Sequence, residues 1–265
     1  MNVVRRTPPT PARPHVIGMI EGWEQPVASS ARMREVPIPG VPVILNLDAP
    51  WEIESAGQRE EYDSFTGGLS TAPVFVRGGA SWACIELRLT PLGARRLFGR
   101  PMHELSNMTV ALEDVLPGTR ELVERLRDEP SWSARFDLVD DFLLRRLANA
   151  NEPSPEVEWS WARLHGSHGR APIRELADEV GWSHRRLIQR FRDQIGLTPK
   201  LLARVIRFDR AVRQLRVATT DSLAELAFDC GYFDQAHMNR EFREFAGTSP
   251  TAFAAALLDS GGIAA

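Results

Sequence analysis

The chain has 265 residues, enough for two ordinary domains with a core each, and its 43% hydrophobic and 25% charged content is that of a globular protein rather than a disordered or fibrous one. It has no apolar run of membrane-spanning length and no secretory h-region, so no membrane partner is expected and the cytoplasm is the expected compartment. The net charge of -3 hides an asymmetry: Val157–Leu258 carries 15 Arg/Lys against 12 Asp/Glu, whereas the rest carries 17 against 23. A basic C-terminal half beside an acidic N-terminal half fits one segment meeting phosphate and the other avoiding it.

Residues 1–14 are rich in Pro and Arg and are expected to be flexible. Residues 15–148 read as a β-rich domain with trailing helices. Val41–Leu45 and Val74–Val76 are short β-prone runs. Cys84–Leu89 alternates, with Ile85, Leu87 and Leu89 on one face and Glu86 and Arg88 on the other. Gly67-Gly68 and Gly78-Gly79 are expected to make turns. After Pro91 the pattern becomes helical: a short helix around Leu92–Phe98, then two longer ones carrying Leu122 and Leu126, and Phe136, Val139, Leu143 and Leu147. Residues 149–156 are polar with Pro153 and Pro155, and read as an interdomain linker. Residues 157–258 read as all-helical.

That last segment contains a repeat of about fifty residues. Ile173, Leu176, Ala177 and Gly181 match Leu223, Leu226, Ala227 and Gly231; after one extra residue, Phe233, Leu187, Phe191, Gly196 and Pro199 match Met238, Phe242, Gly247 and Pro250. Each copy has the logic of two helices crossing at a tight turn. Alanine permits close crossing, glycine permits the positive φ that closes the first helix, and Ser183 or Asp234 caps the second. The second helix keeps two core residues at i and i+4, which leaves its other positions outward. These are His184, Arg185, Ile188 and Gln189 in the first copy, with Arg186 counted beside them, and Gln235, Ala236, Asn239 and Arg240 in the second. Arg bonds guanine O6/N7, and Gln or Asn bonds adenine N6/N7, so this is base-reading chemistry. Thr198 caps a helix from about Pro199 to Val217 that spaces the two copies; Arg204, Arg207, Arg210 and Arg213 on it face either phosphate or solvent.

The motifs Gly181-Trp-Ser-His-Arg-Arg-Leu-Ile-Gln-Arg-Phe-Arg and Gly196-Leu-Thr-Pro, with Gly231-Tyr-Phe-Asp-Gln-Ala-His-Met-Asn-Arg-Glu-Phe-Arg and Gly247-Thr-Ser-Pro, resemble the AraC/XylS family of transcription regulators. The resemblance covers about 85–100 residues with both half-motifs and their spacing. It implies two helices in adjacent major-groove segments, with base contacts at Arg185, Ile188 and Gln189 and at Gln235, Ala236, His237 and Arg240. Ile188 and Ala236 depart from the usual polar choices and leave apolar contact only, as with a thymine methyl. The N-terminal half resembles the β-rich sensor domains fused to such regulators, which implies effector binding or dimerisation there.

The expected fold is therefore α+β: a barrel- or sandwich-like β domain with trailing helices, then an all-α domain of two helix-turn-helix units joined by a long helix. The expected partner is duplex DNA, with RNA polymerase and a second copy of the chain as further candidates. No cofactor is expected beyond a small-molecule effector of unknown identity, for which Trp23, Trp51 and Trp82 are the weak candidate lining residues, core packing being the commoner role for them. His165-Gly-Ser-His168 has no cysteine cluster beside it and is not read as a metal pair. Cys84 and Cys230 lie in separate segments and read as core residues. No Gly-x-Ser-x-Gly, Walker loop or His-Glu-x-x-His occurs, so the chain is not read as an enzyme. The alternative is an interaction protein in which DNA binding is degenerate and the N-terminal domain binds a partner.

Overall fold

The computed structural model describes residues 2–25, 32–55, 57–78, 81–217 and 222–257. The expected N-terminal Met1, the second glycine of the Gly78-Gly79 turn and the terminal Leu258 lie outside these residues. The N-terminal part is mostly strand: β1 (Asn2–Arg6), β2 (Ile20–Gln25), β3 (Met33–Glu35), β4 (Val41–Asn46), β5 (Trp51–Ser55), β6 (Gln58–Tyr62), β7 (Phe65–Gly67), β8 (Val74–Arg77) and β9 (Trp82–Leu89), with β10 (Thr109–Ala111) after the short helix α1 (Pro91–Phe98). Two antiparallel sheets result, a larger one in the order β1-β2-β9-β4-β7-β10 and a smaller one in the order β3-β8-β5-β6. The rest is helical: α2 (Leu112–Val115), α3 (Thr119–Asp128), α4 (Trp132–Ala148), α5 (Pro155–Gly166), α6 (Ile173–Glu179), α7 (His184–Gln194), α8 (Pro199–Val217), α9 (Leu223–Asp229), α10 (Gln235–Ala246) and α11 (Pro250–Ala255). This is the expected α+β architecture.

The larger sheet buries both faces in different company. Ile85, Leu87 and Leu89 of β9, with Val43 and Leu45 of β4, pack against Leu97 of α1, Leu122 of α3 and Val139 and Leu143 of α4. Gly22 of β2 lies under the Trp132 ring so closely that a Cβ there would stand 2.3 Å from it. The opposite face, carried by Cys84, Ile44 and Phe65, meets Trp51, Ile53 and Val76 of the smaller sheet. The period-two alternation in β9 separates these two sides as the sequence predicts.

Three expectations need correction. Residues 2–15 are not flexible: β1 pairs with β2 over its whole length, Ala12 is fully buried, and Arg6 reaches Asp137 and Asp140 at 2.6 and 3.1 Å. The β-prone Val3-Val4 pair outweighs the Pro/Arg composition that follows it. The linker ends earlier than its prolines suggest, because Pro155 takes the first position of α5, where its missing N–H costs nothing. Gly67-Gly68 is no reversal: Gly67 ends β7, and a Cβ on Gly68 would overlap the Leu105 carbonyl at 2.0 Å, so this glycine serves a close approach of two backbones.

Helix α3 shows how a local gap is filled from a distance in sequence. Its N-cap is Gly118, which has no side chain to cap with. Glu113 substitutes, accepting from Gly118 N–H at 3.0 Å, Arg120 N–H at 2.8 Å and the Thr119 hydroxyl at 3.0 Å. The Gly118 bond is the first reason its carboxyl lies below the ordinary range, with the Arg120 and Thr119 bonds adding to it against the small cost of burial. We expect Glu113→Ala to cost at most about 1 kcal/mol in urea unfolding at neutral pH. A lowered folded value means this stability is present above the usual carboxylate range and lost as pH falls through the lowered one, so variant and parent should converge in acid.

Candidate nucleic-acid interface

The first unit is α6, a turn and α7. Leu176 and Ala177 of α6 are buried, Gly181 has φ +67°, and the Ser183 hydroxyl accepts from Arg186 N–H at 3.3 Å. Leu187 and Phe191 of α7 are 0% exposed, which sets the rotation of the helix. His184, Arg185, Arg186 and Gln189 are consequently exposed and Ile188 is half-buried. Ser183, Arg185, Arg186, Gln189 and Arg190 line an open concavity of about 570 Å³ along the outer side of α7. Arg190 was not among the sequence candidates, although its place four residues after Arg186 puts the two on one helical face. Arg186 also stacks over Trp182, 4.7 Å from the ring centre. Both Arg186 and Arg190 add to the Ser154 hydroxyl bond in holding the Glu156 carboxyl below its usual range.

The second unit, α9, turn and α10, repeats the build. Leu226 and Ala227 are buried, Gly231 has φ +85°, and Asp234 accepts from His237 N–H at 2.6 Å. Met238 and Phe242 are 0% exposed, while Gln235, Ala236 and Arg240 are exposed and Asn239 is half-buried. His237 sits differently from the other candidates. Its ring meets the buried Tyr232 edge-on at 5.3 Å, its Nδ1 faces the Phe233 N–H at 3.5 Å, and its Nε2 lies 3.6 Å from Glu241.

Between the units α8 spans 19 residues, roughly 28 Å. The Thr198 hydroxyl caps it through Leu201 N–H at 3.3 Å. Arg204 and Arg207 turn inward, whereas Arg213 stays largely exposed. Arg204 donates to Glu241 at 2.8 Å and pairs with Glu244 at 2.5 Å, Arg207 reaches Gly169 O at 3.3 Å and Glu241 at 3.6 Å, and Arg213 pairs with Asp209 at 2.8 Å. Glu241 is 2% exposed, so α10 is bolted to α8 by a carboxylate with two guanidinium partners. The cost of burying Arg204 is more than offset by its bonds to Glu244 and Glu241, which hold the guanidinium charged. Glu241 is invisible before folding because its partners, Arg204 and Arg207, lie more than thirty residues away in the sequence.

The β-rich part touches the first unit directly. The Ser106 hydroxyl donates to Gly196 O at 2.7 Å, and the buried Gln194 accepts from Ser154 N–H at 2.9 Å. Trp23, Trp51 and Trp82 do come together, between the two sheets: Trp51 is 4.8 Å from Trp82 and 5.7 Å from Phe65, and Trp23 stands opposite Cys84 in the β2–β9 register. All three indole N–H groups are buried without a hydrogen-bond partner. The other side of the larger sheet leaves a space of about 10 Å³ among its apolar side chains, at the limit for one water.

Residues 176–256 match the family model described as a helix-turn-helix domain. These residues are a helix-turn-helix domain. An uncharacterized HTH-type transcriptional regulator of Bacillus subtilis (strain 168), YbfI, is 30% identical over 93 residues, which is 35% of this chain and 33% of that protein, so the chain spans about a third of the curated relative's length. ToxT from Vibrio cholerae is similar in fold over 89% of this chain and 97% of its own, with a TM-score of 0.53 at 9% identity. The DNA-binding domain of AdpA, solved with a target DNA, aligns over 39% of this chain and 93% of its own at 30% identity, with a TM-score of 0.35.

Removing the Glu241 carboxylate from this domain leaves Arg204 and Arg207 short of their buried counter-ion. We expect Glu241→Ala to destabilise the protein by about 3 kcal/mol in urea unfolding, and Glu241→Gln, which still accepts from Arg204, by clearly less.

Proposed function

We propose that the chain is a sequence-specific transcription regulator that seats α7 and α10 in adjacent major-groove segments of one DNA duplex. The observation that carries this reading is the pair of capped helices, each with two fully buried residues on one side and exposed Arg and Gln on the other. The spacer supports it, since roughly 28 Å approaches the ~34 Å that separates successive major-groove turns. On this reading His184, Arg185, Arg186, Ile188 and Gln189 face DNA from α7 and Gln235, Ala236, Asn239 and Arg240 from α10, with Arg190 added on the phosphate side of α7. His237, held on Tyr232 and Glu241, braces α10 rather than reading a base. The alternative of degenerate DNA binding is not favoured, because both copies keep their caps, turn glycines and inward residues.

The β-rich part then serves as the regulatory domain, with RNA polymerase and a second copy of the chain as further partners. The space between the two sheets is the effector site this reading favours, because three indole donors lie there unpaired among aromatic side chains.

Selection of bound duplexes from a random pool should yield one sequence, bound far more tightly than random DNA and with steep loss of affinity as salt rises. Arg185→Ala and Arg240→Ala should each cost about 1–3 kcal/mol on that sequence and relax discrimination at one base position, at two different positions. Equal binding by parent and both variants would remove these residues from the interface.

A further inference from the structure

We propose that Phe233 is a specificity-determining contact of the second unit, its ring packing on a thymine methyl at the mouth of the major groove. This rests on the reading of α10 as a recognition helix. Phe233 is the one residue by which the second copy exceeds the first, and it falls immediately before the Asp234 cap. It is 89% exposed, the largest fraction among the exposed large hydrophobic side chains of the described residues.

Its backbone, by contrast, is pinned on both sides. Tyr232 before it is 4% exposed, Asp234 after it holds His237 N–H at 2.6 Å, and its own N–H points at His237 Nδ1 at 3.5 Å. The ring is therefore presented from a fixed stem. The first copy has no residue at this place: Trp182, the counterpart of Tyr232, is half-buried under Arg186 and is followed directly by the Ser183 cap.

The place of Phe233 selects its occupant. The N-terminal end of a recognition helix is the part that enters the groove. Ala236, exposed one turn further on, gives that end a second apolar group, and Gln235 and Arg240 beside it supply the polar ones. Thymine is the only base with an apolar handle in the major groove, its C5-methyl, and Phe and Ala are among the side chains suited to it.

The test begins from the duplex that the full-length wild type selects from a random pool. Phe233→Ala should weaken binding to it about four- to tenfold and leave binding to a random duplex and the thermal melt unchanged. Replacing each thymine in turn by deoxyuridine, which removes only the methyl, should find one position where the wild type loses about fourfold and Phe233→Ala loses nothing more. Phe233→Leu, still apolar, should keep the uracil sensitivity. Unchanged affinity of Phe233→Ala overturns the proposal, as does a uracil effect that persists in it, a loss equal on random DNA, or an altered oligomeric state with DNA binding intact. If the wild type selects no sequence, the reading of α10 falls and this proposal with it; if it selects one and Phe233 is silent, this proposal alone falls.

Discussion

Two side chains without solvent contact hold each of the helices on which function depends: Leu187 and Phe191 in α7, Met238 and Phe242 in α10. Residues four apart share one face of a helix, so burying both leaves a single rotation in which the core is filled. Arg185 and Gln189, or Ala236 and Arg240, are then outward by geometry and need no contact of their own to be held there. The turn glycines and the caps serve the same end, fixing where the helix begins relative to the pair it buries. An outward face made ready in this way loses little freedom on meeting a partner, which favours tight binding.

The two units are supported by different means. α7 leans on the β-rich part through Ser106 on Gly196, and on the linker through Ser154 on Gln194. α10 leans on its own domain, through Glu241 and the arginines of α8. Between these, α8 carries charge up to the polar face of β9. Burial raises the Asp209 carboxyl, and Arg213, Arg88 of β9 and Arg216 oppose that rise.

The two faces of the larger sheet meet different neighbours. One side is closed by α1, α3 and α4; the other meets the smaller sheet across the unpaired indoles of Trp23, Trp51 and Trp82, and carries Glu86 and Arg88 further along β9. Glu86 and Arg88, which alternation alone assigns to the solvent side, pair with each other at 2.8 Å on the side that α8 approaches. The alternation was legible; the charges of α8 that gather on that side were not, because a period of two reports which residues share a face and nothing about what lies opposite.

By itself the sequence determined the repeat, the caps at Ser183, Thr198 and Asp234, the left-handed glycines at 181 and 231, and the four inward residues of α7 and α10. Each of these is a local rule acting over a few residues, so each leaves its mark in residue type and spacing. Tertiary structure alone decided that residues 2–6 join the sheet, that Arg204 and Arg207 turn toward Glu241 instead of outward, that His237 packs on Tyr232 beside Glu241, and that Trp23, Trp51 and Trp82 meet between two sheets. Those outcomes depend on partners tens of residues away, and a long side chain that can reach either solvent or a distant carboxylate carries no record of the choice in its own position.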